Sequence, residues 1–508
     1  MADETILVGG GGENYAEPRE LLLHYANRHG LITGATGTGK TVTLQILAEA
    51  LSAAGVPVVV QDVKGDLSGL SRPGDPAAKA HDALTKRAQQ IGFTDFAHRA
   101  SPVVFWDLFG QQGHPVRTTV SELGPLLLAR MMELSEAQEG VLNIAFRVAD
   151  EQGLLLLDLA DLQSILTWLA DNARDISRTY GNVTTASVGA IQRALLVLEN
   201  QGASAFLGEP ALDLKDLIAT DPSGAGRVNV LMSDRLMQSP RLYAMFLLWL
   251  LSELFEQLPE IGEPDKPKLV FFFDEAHLLF TDAPKALTEK VVQVVRLIRS
   301  KGVGVYFCTQ NPDDVPQDVL AQLGNRVQHA LRAFTPREAK ALKQAAETFR
   351  PNPDFDTETA IREVGTGEAA IVSARSASVI APIRDSGGRI STRRTIAGTP
   401  FSSSSETTAS PLAGKYDTAA DRESAHEILS GRADAAAREA ATADELLKQA
   451  EARDEELKQA RRYEPTRSRG RAQPSLGSEI ARTVVKQLGT RQGQQLVRGI
   501  LGGLFKGR

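Results

Sequence analysis

A glycine-rich stretch near the start of the chain restricts its fold more than any other feature. Residues 34–41 read Gly-Ala-Thr-Gly-Thr-Gly-Lys-Thr and fit the pattern Gly-x4-Gly-Lys-Thr. An apolar segment, residues 31–33, precedes them and an amphipathic pattern follows. Glycine has no Cβ, so the backbone can turn successive N–H groups towards one phosphate group. The motif and its flanks predict a strand, a phosphate-binding loop and a helix, rather than a glycine-rich turn with an unrelated lysine.

The residue types of this loop suit a nucleoside-triphosphate site. The charge of Lys40 is placed to contact the β- and γ-phosphates, and the Thr41 hydroxyl can complete the coordination of Mg²⁺. The following helix directs the positive end of its dipole at the same phosphates. The predicted nucleotide contacts are Gly34, Ala35, Thr36, Gly37, Thr38, Gly39, Lys40, Thr41 and Val42.

A second apolar segment ends in a polar cluster. Residues 56–60 are Val-Pro-Val-Val-Val, and residues 62–66 are Asp-Val-Lys-Gly-Asp. Such an apolar run is typical of a buried parallel strand. Open α/β sheets bind their ligands beyond the carboxyl ends of the strands. The pattern therefore predicts that residues 62–66 lie at the ligand-binding edge of the sheet.

Two adjacent carboxylates end a third apolar strand. Residues 269–273 are Leu-Val-Phe-Phe-Phe, and Asp274 and Glu275 follow. Asp274 is placed to hold the Mg²⁺ shell, and Glu275 to orient or deprotonate the attacking water. Carboxylates after a strand are often only solvated, but a phosphate loop upstream favours the catalytic interpretation.

The next helix and strand contribute further candidates. Residues 285–300 have helical spacing, with Arg296 and Arg299 off the apolar stripe. The strand at residues 304–310 ends in Gln310, which lies beside the carboxylates if the sheet is parallel and can then sense the γ-phosphate. A hydrogen bond from Gln310 to a neighbouring loop is the alternative. Cys308 is expected to be a small buried core residue.

These elements predict an α/β fold with a P-loop NTPase sheet built from residues 1–117 and 203–384. Between them, residues 118–202 contain successive apolar patterns at helical spacing without an intervening strand. We therefore expect an all-helical insertion. Its apolar stripes are expected to pack against one another, with a groove for a partner as the alternative.

The remainder predicts a flexible, helical C-terminal tail. Residues 385–475 combine a linker rich in Gly, Ser and Thr with an Ala- and Glu-rich helix at 423–463, and the basic stretch after that helix is expected to be solvated or to touch nucleic-acid phosphates. Residues 476–508 predict a basic amphipathic helix. We favour docking of this helix into a neighbouring subunit over its lying on a membrane surface.

Composition narrows the protein class. The 508 residues include 56 basic and 63 acidic side chains, a net charge of -7, so no overall basic field indicates nucleic acid. The single cysteine argues against a disulfide framework and suits a reducing compartment. The first residues lack a signal-peptide pattern, and the apolar run at 242–251 is too short to span a bilayer. We expect a cytoplasmic protein.

Taken together, the motifs resemble the HerA/FtsK superfamily of P-loop ATPases, and within it the bacterial YjgR-like branch of HerA-like helicases. The similarity covers most of residues 1–385. It rests on residues 27–41, 62–66, 273–277, 296–302, 304–312 and 323–326.

The resemblance implies a RecA-like fold that binds ATP with Mg²⁺ at subunit interfaces of a ring, usually a hexamer. It also implies a catalytic role for Asp62 and an arginine that acts on the neighbouring subunit's γ-phosphate. Arg299 fits that role best, and Arg296 is the alternative. HerA proper carries an N-terminal β-barrel that binds a nuclease, and no room for such a barrel is expected before the phosphate loop.

Two functions fit these features. The first is a DNA translocase or helicase-type motor driven by ATP hydrolysis. The second is a nucleotide-switched scaffold or assembly ATPase that binds a protein partner or a membrane surface, through the insertion or the tail, without translocating DNA. The complete catalytic set favours the motor, whereas the acidic net charge favours the scaffold.

Overall fold

The computed structural model describes residues 4–11, 15, 17–78, 81–94, 96–281, 285–331, 333, 335–347, 356–372, 381–384 and 410–462. Internal contacts divide the chain into two units, residues 1–433 and 434–508. The α/β fold predicted from the sequence is confirmed. Among the described residues, none of the helices combines the length and the apolar character needed to cross a bilayer.

An antiparallel hairpin opens the chain. Strand β1 (Thr5–Gly11) pairs with β2 (Glu17–Leu22). The three glycines at residues 9–11 belong to β1. Glycine is needed here for close packing, because a Cβ at Gly10 would lie 2.1 Å from the carbonyl oxygen of Tyr15.

A ten-stranded sheet forms the centre of the first unit. Its strands are β3 (Gly30–Thr33), β4 (Val58–Asp62), β5 (Val103–Asp107), β6 (His114–Pro115), β7 (Val228–Met232), β8 (Leu269–Phe273), β9 (Val303–Thr309), β10 (Asn325–His329), β11 (Glu368–Val372) and β12 (Ala381–Arg384). Their order across the sheet is β12-β11-β10-β3-β9-β8-β4-β7-β5-β6. Strands from β10 to β6 in this order are parallel, and β11 and β12 are antiparallel to their neighbours. The carboxyl ends of the parallel strands therefore share one edge.

The helices of the first unit contribute to apolar cores on both faces of the sheet, and the last helix extends into the second unit. They are α1 (Lys40–Ala53), α2 (His81–Gln90), α3 (Val120–Met131), α4 (Glu136–Gln152), α5 (Leu159–Asp171), α6 (Ala173–Tyr180), α7 (Thr185–Asn200), α8 (Ala203–Phe206), α9 (Leu214–Leu217), α10 (Pro240–Gln257), α11 (Lys285–Leu297), α12 (Gln317–Leu320), α13 (Pro336–Glu347), α14 (Thr357–Glu363) and α15 (Ala425–Arg462). The sequence of β8 is continuously apolar because both faces of this strand are buried. Val270 and Phe272 face one core, and Phe271 and Phe273 face the other.

The helices that follow β6 belong to the larger of these cores. Helix α5 buries Leu162, Ile165, Leu166 and Leu169, which repeat at helical spacing. These side chains share one apolar cluster with α10 and with one face of the sheet. Capping boxes begin α3, α4 and α5. In each box the backbone N–H of the N-cap residue donates a hydrogen bond to the side chain three residues later. The N-cap residues are Thr119, Ser135 and Asp158. The helices of residues 118–202 are thus continuous with the sheet's core.

Residues 410–424, which we call the strap, correct one expectation. The sequence predicted a flexible linker at residues 385–422, yet Leu412 and Tyr416 are buried in the larger core. The strap is also tied by polar contacts: Arg117 donates to the carbonyl oxygen of Tyr416 at 2.8 Å, and Arg422 bonds both carboxylate oxygens of Glu209 at 2.6 Å. Individual residues anchor the strap, so its apolar positions do not repeat at a helical or strand spacing.

Helix α15 begins where the strap ends. Ala425 and Leu429 in its first turns are buried, whereas His426 and Glu427 are exposed. In the second unit its apolar residues are exposed, with Leu446 at 66% and Leu457 at 60%. The other residues assigned to the linker, 385–409 and 463–475, and the amphipathic helix predicted at 476–508 lie outside the described residues.

Candidate nucleotide-binding site

The phosphate loop connects β3 to α1 at the carboxyl edge of the sheet. Positive φ angles at Gly34 (150°), Gly37 (77°) and Gly39 (117°) shape it, and residues with a Cβ rarely adopt such values. At Gly34 a Cβ would also lie 2.5 Å from the Cβ of His329. Glycine is therefore required for both conformation and space.

The loop and helix α1 fit an anion. The N-cap of α1 is Gly39, with no side-chain cap and no acidic residue in the first turn. The first N–H groups of such a helix have no partner within it and favour negative charge. Lys40 turns back into the loop, with its Nζ 2.7 Å from the carbonyl oxygen of Gly34 and 3.0 Å from that of Ala35. Burial lowers the pKa of Lys40, and the nearby carboxylates of Glu275 and Asp274 oppose this effect. These groups suit the phosphates of a nucleotide.

A buried histidine beside the phosphate loop connects helix α1 to strand β11. The Nδ1 of His329 is 2.9 Å from the carbonyl oxygen of Glu368, and its Nε2 is 2.9 Å from the hydroxyl of Thr43 on α1. Burial lowers the pKa of His329 to about 4, so the ring is neutral at neutral pH. Since a carbonyl only accepts, Nδ1 carries the proton and Nε2 accepts from Thr43. The sequence motifs do not indicate His329, and its position at the end of a strand is the one local signal for it.

The acidic pair follows β8, two strands from β3. Asp274 is 4% exposed, and its Oδ2 is buried without a hydrogen-bond partner among the described residues. Burial, and then the charges of Glu275 and Asp66, raise the pKa of Asp274 to about 6. Cys308 is 1% exposed, as expected, and its thiol hydrogen-bonds to Asp274.

These groups fit Mg²⁺ bound together with a nucleotide. An orphaned carboxylate oxygen on Asp274 and the hydroxyl of Thr41 are the hard oxygen ligands that Mg²⁺ takes. Asp66 hydrogen-bonds to Thr41 and adds a third carboxylate nearby. Within the described part of the chain, no three His, Cys, Asp or Glu side chains could hold a metal by themselves. Mg²⁺ commonly completes its shell with phosphate oxygens and water.

Asp62 ends β4 and is fully buried. Its carboxylate accepts hydrogen bonds from the backbone N–H groups of Lys64 at 3.1 Å, Gly65 at 2.7 Å and Leu67 at 3.0 Å. Burial raises the pKa of Asp62 to about 6, and these three bonds oppose that rise. Asp62 therefore shapes the loop at residues 62–67, which carries Lys64 and Asp66 into the site.

Gln310 directly follows β9 and lies against the phosphate loop. Its carbonyl oxygen accepts from the N–H of Gly34 at 3.3 Å. The residue itself is exposed. Strand β9 lies between β3 and β8, so Gln310 stands between the phosphate loop and the acidic pair.

The two candidate arginines lie apart from this cluster. Arg299 precedes β9, whereas the phosphate loop follows the parallel strand β3, so the two are at opposite edges of the sheet. Arg299 pairs with Glu263. Arg296, at the end of α11, lies 3.2 Å from Asp318 of α12.

The structure thus brings together Lys40, Thr41, Asp274 and Glu275, with Gln310 and the loop of Asp62 beside them. The sequence predicts that residues 62–66 lie at the ligand-binding edge, but it assigns no role to Lys64 or Asp66. Lys64 contacts Glu275 directly. Such a contact joins the ends of two strands far apart in sequence, and only the sheet order reveals it.

A family model matches the chain, and several solved structures are similar to it. The family model described as "Helicase HerA-like C-terminal" matches residues 11–508. The unbound bacterial conjugative coupling protein TrwB is similar in structure, with a TM-score of 0.48 and 16% identity over 76% of this chain and 88% of that one. VirB4 of Thermoanaerobacter pseudethanolicus is similar with a TM-score of 0.46 and 14% identity over 75% and 96%. Among curated proteins, none matches the chain.

The family model spans nearly the whole sequence, and the residues at the strand ends form the site that its phosphate loop predicts. The site combines a nucleotide cradle with carboxylates suited to Mg²⁺ and to activation of water. The chain is a P-loop ATPase that uses ATP with Mg²⁺, and it belongs to the HerA-like helicase C-terminal family.

Proposed function

We propose that this protein is an ATP-driven ring motor that moves DNA. The hydrolytic part rests on the cluster of Lys40, Thr41, Asp274 and Glu275 at one edge of the sheet. DNA as the moved polymer, a hexameric ring and a cytoplasmic location are inferred from membership in the HerA-like family and from the sequence.

The position of Arg299 is the observation that supports assembly into a ring. It lies at the opposite sheet edge from the phosphate loop of the same chain. A cationic group that stabilises the γ-phosphate charge must reach the nucleotide directly. Arg299 can do so only from a neighbouring subunit, so the complete site is expected at an interface between two copies.

The chain's own residues divide the work of hydrolysis. Lys40 holds the terminal phosphates, and Glu275 takes a proton from the water that attacks the γ-phosphorus. Thr41 and Asp274 would hold Mg²⁺, which would neutralise negative charge on the terminal phosphates. Gln310 is positioned to hydrogen-bond near the γ-phosphate and so to report whether it is present.

The test is the ATPase rate with and without single-stranded DNA, duplex DNA and RNA. We expect stimulation by a DNA form, with a steep loss as salt rises, because each phosphate contact releases counterions. Mass measurement with nucleotide should show a closed oligomer. Lys40→Ala serves as the inactive control. No stimulation by any polymer at low salt, despite normal basal turnover, would reject the motor.

A nucleotide-switched scaffold is the second candidate, and the charge of the helical insertion favours it. Residues 118–202 contain eleven acidic and five basic side chains. Such a surface repels nucleic-acid phosphates and suits a basic protein partner. The scaffold predicts slow turnover that is indifferent to DNA, and partner binding that depends on residues 423–508 or on the insertion.

A further inference from the structure

The carboxylate of Glu275 forms an ion pair with a side chain from a different loop. Lys64 donates from its Nζ to Oε1 of Glu275. On the other side, Nδ1 of His277 lies 3.3 Å from Oε2. Within the described residues, Oε2 itself has no hydrogen-bond partner and is buried. One oxygen of this carboxylate is therefore occupied, and the other is left with accepting capacity.

The position of Lys64 is set by the buried Asp62. Three backbone N–H groups of residues 64–67 converge on the Asp62 carboxylate, and Gly65 takes a φ of 74° to complete the turn. Asp62 thus has its oxygens engaged within its own loop. It can influence the reaction by holding Lys64, rather than by touching the nucleotide.

Glu275 also needs external support for its backbone. It adopts φ 48° and ψ 49°, a left-handed conformation that is uncommon for a residue with a side chain. Conformations of this kind are unfavourable for a residue with a side chain and persist where surrounding contacts hold them. The contact with Lys64 is one such contact at this residue.

The pair joins an exposed side chain to a buried one. The Lys64 side chain is 53% exposed, and an ion pair with one solvated partner contributes little. The Glu275 side chain is only 9% exposed, so its charge does require a counterion. The hydrogen bond that Lys64 donates to Glu275 raises the pKa of Lys64, so the ammonium stays charged at neutral pH.

We propose that Lys64 is a positioning residue for ATP hydrolysis, which fixes Glu275 through Oε1 so that Oε2 faces the attacking water. In the step itself, the water oxygen bonds to the γ-phosphorus, the bond from that phosphorus to the β–γ bridging oxygen breaks, and Oε2 takes the water's proton. ADP and phosphate leave. The inference rests on hydrolysis by this site and is independent of DNA.

The test compares Lys64→Met and Lys64→Arg with the parent in basal turnover, and measures binding of a non-hydrolysable ATP analogue. We expect Lys64→Met to lower kcat about 10- to 100-fold with little change in analogue affinity. Lys64→Arg should recover most of the rate, because it restores the charge. Lys448→Met, which removes another lysine paired with a carboxylate, should leave turnover unchanged.

A double-mutant cycle separates positioning from a structural effect. In the Glu275→Gln background, Lys64→Met should add no further loss, because the group it positions is gone. Equal losses in both backgrounds, a faster rate in Lys64→Met, or a loss of analogue affinity as large as the loss of kcat would overturn the proposal. So would a parent without measurable hydrolysis, whereas a lack of stimulation by DNA would reject only the motor.

Discussion

The ring of Tyr416 packs edge-on against the indole of Trp106, with 5.3 Å between the ring centroids. Trp106 lies in β5 and Tyr416 in the strap, so this contact anchors a distant part of the chain to the edge of the sheet. The Tyr416 hydroxyl also bonds the carboxylate of Asp216. The strap is therefore part of the folded unit.

Tyr416→Ala should destabilise that unit. Removing a fully buried aromatic side chain leaves a cavity and an unpaired polar group, at a cost of about 3 kcal/mol. Urea unfolding followed by tryptophan fluorescence measures the change. Leu446→Ala, which truncates an exposed side chain, is the control. An unchanged midpoint for Tyr416→Ala would show that the strap does not contribute.

Lys40→Ala should weaken ATP binding. The variant loses the ammonium that lies inside the phosphate loop, and charge-assisted bonds of this kind support a loss on the order of 100-fold. Titration with a fluorescent ATP analogue measures it. Lys448→Ala, on the exposed helix α15, should bind as the parent does. Equal affinity in Lys40→Ala would remove Lys40 from the nucleotide site.

Glu275→Gln should separate binding from hydrolysis. Glutamine keeps the size of the side chain but cannot take a proton, so turnover should fall by about 10²- to 10⁴-fold. ATP should remain bound, which single-turnover assays and nucleotide retained after gel filtration can detect. Hydrolysis at the parental rate would remove Glu275 from its assigned role.

Arg299→Ala should impair the neighbouring site rather than its own. We expect a loss on the order of 10³-fold, as for other cations supplied to a γ-phosphate. Mixing Arg299→Ala with Lys40→Ala subunits should restore part of the activity, since some interfaces then hold both intact partners. Arg296→Ala is the matched comparison. If only Arg296→Ala loses activity and regains it on mixing, Arg296 rather than Arg299 acts on the neighbouring site.

Glu49→Gln should stabilise the protein in a pH-dependent way. Both carboxylate oxygens of Glu49 on α1 are buried without a hydrogen-bond partner among the described residues. Burial raises the pKa of Glu49 from 4.5 to about 8, so the folded protein retains a proton that the unfolded chain releases.

Ionisation of Glu49 therefore lowers the stability of the parent as pH rises from about 4.5 to 8, and the variant lacks this contribution. The difference in unfolding free energy should grow by up to about 1.4 kcal/mol per pH unit and level off above pH 8. Urea unfolding at several pH values tests this. A difference that stays constant with pH would contradict the burial of an ionisable group here.

Much of the fold followed from local patterns. The phosphate loop, the buried strands that carry Asp62 and Asp274, and the helices before β7 are encoded in short runs of glycine, apolar residues and helical spacing. Such runs act over a few neighbours in the chain, so the sequence alone predicts them. The membership of Lys40, Asp274 and Glu275 in one site also followed, because parallel strands share a carboxyl edge.

Tertiary structure decided what depends on contacts between distant residues. The strap carries no periodic signal, and its burial against Trp106 together with its bonds to Arg117 and Glu209 shows that it is folded. Strand order placed β4 beside β8, which brings Lys64 to Glu275, and it placed Arg299 at the edge opposite the phosphate loop. Pairing across a sheet is set by the summed packing of the whole core, which no local segment of the sequence contains.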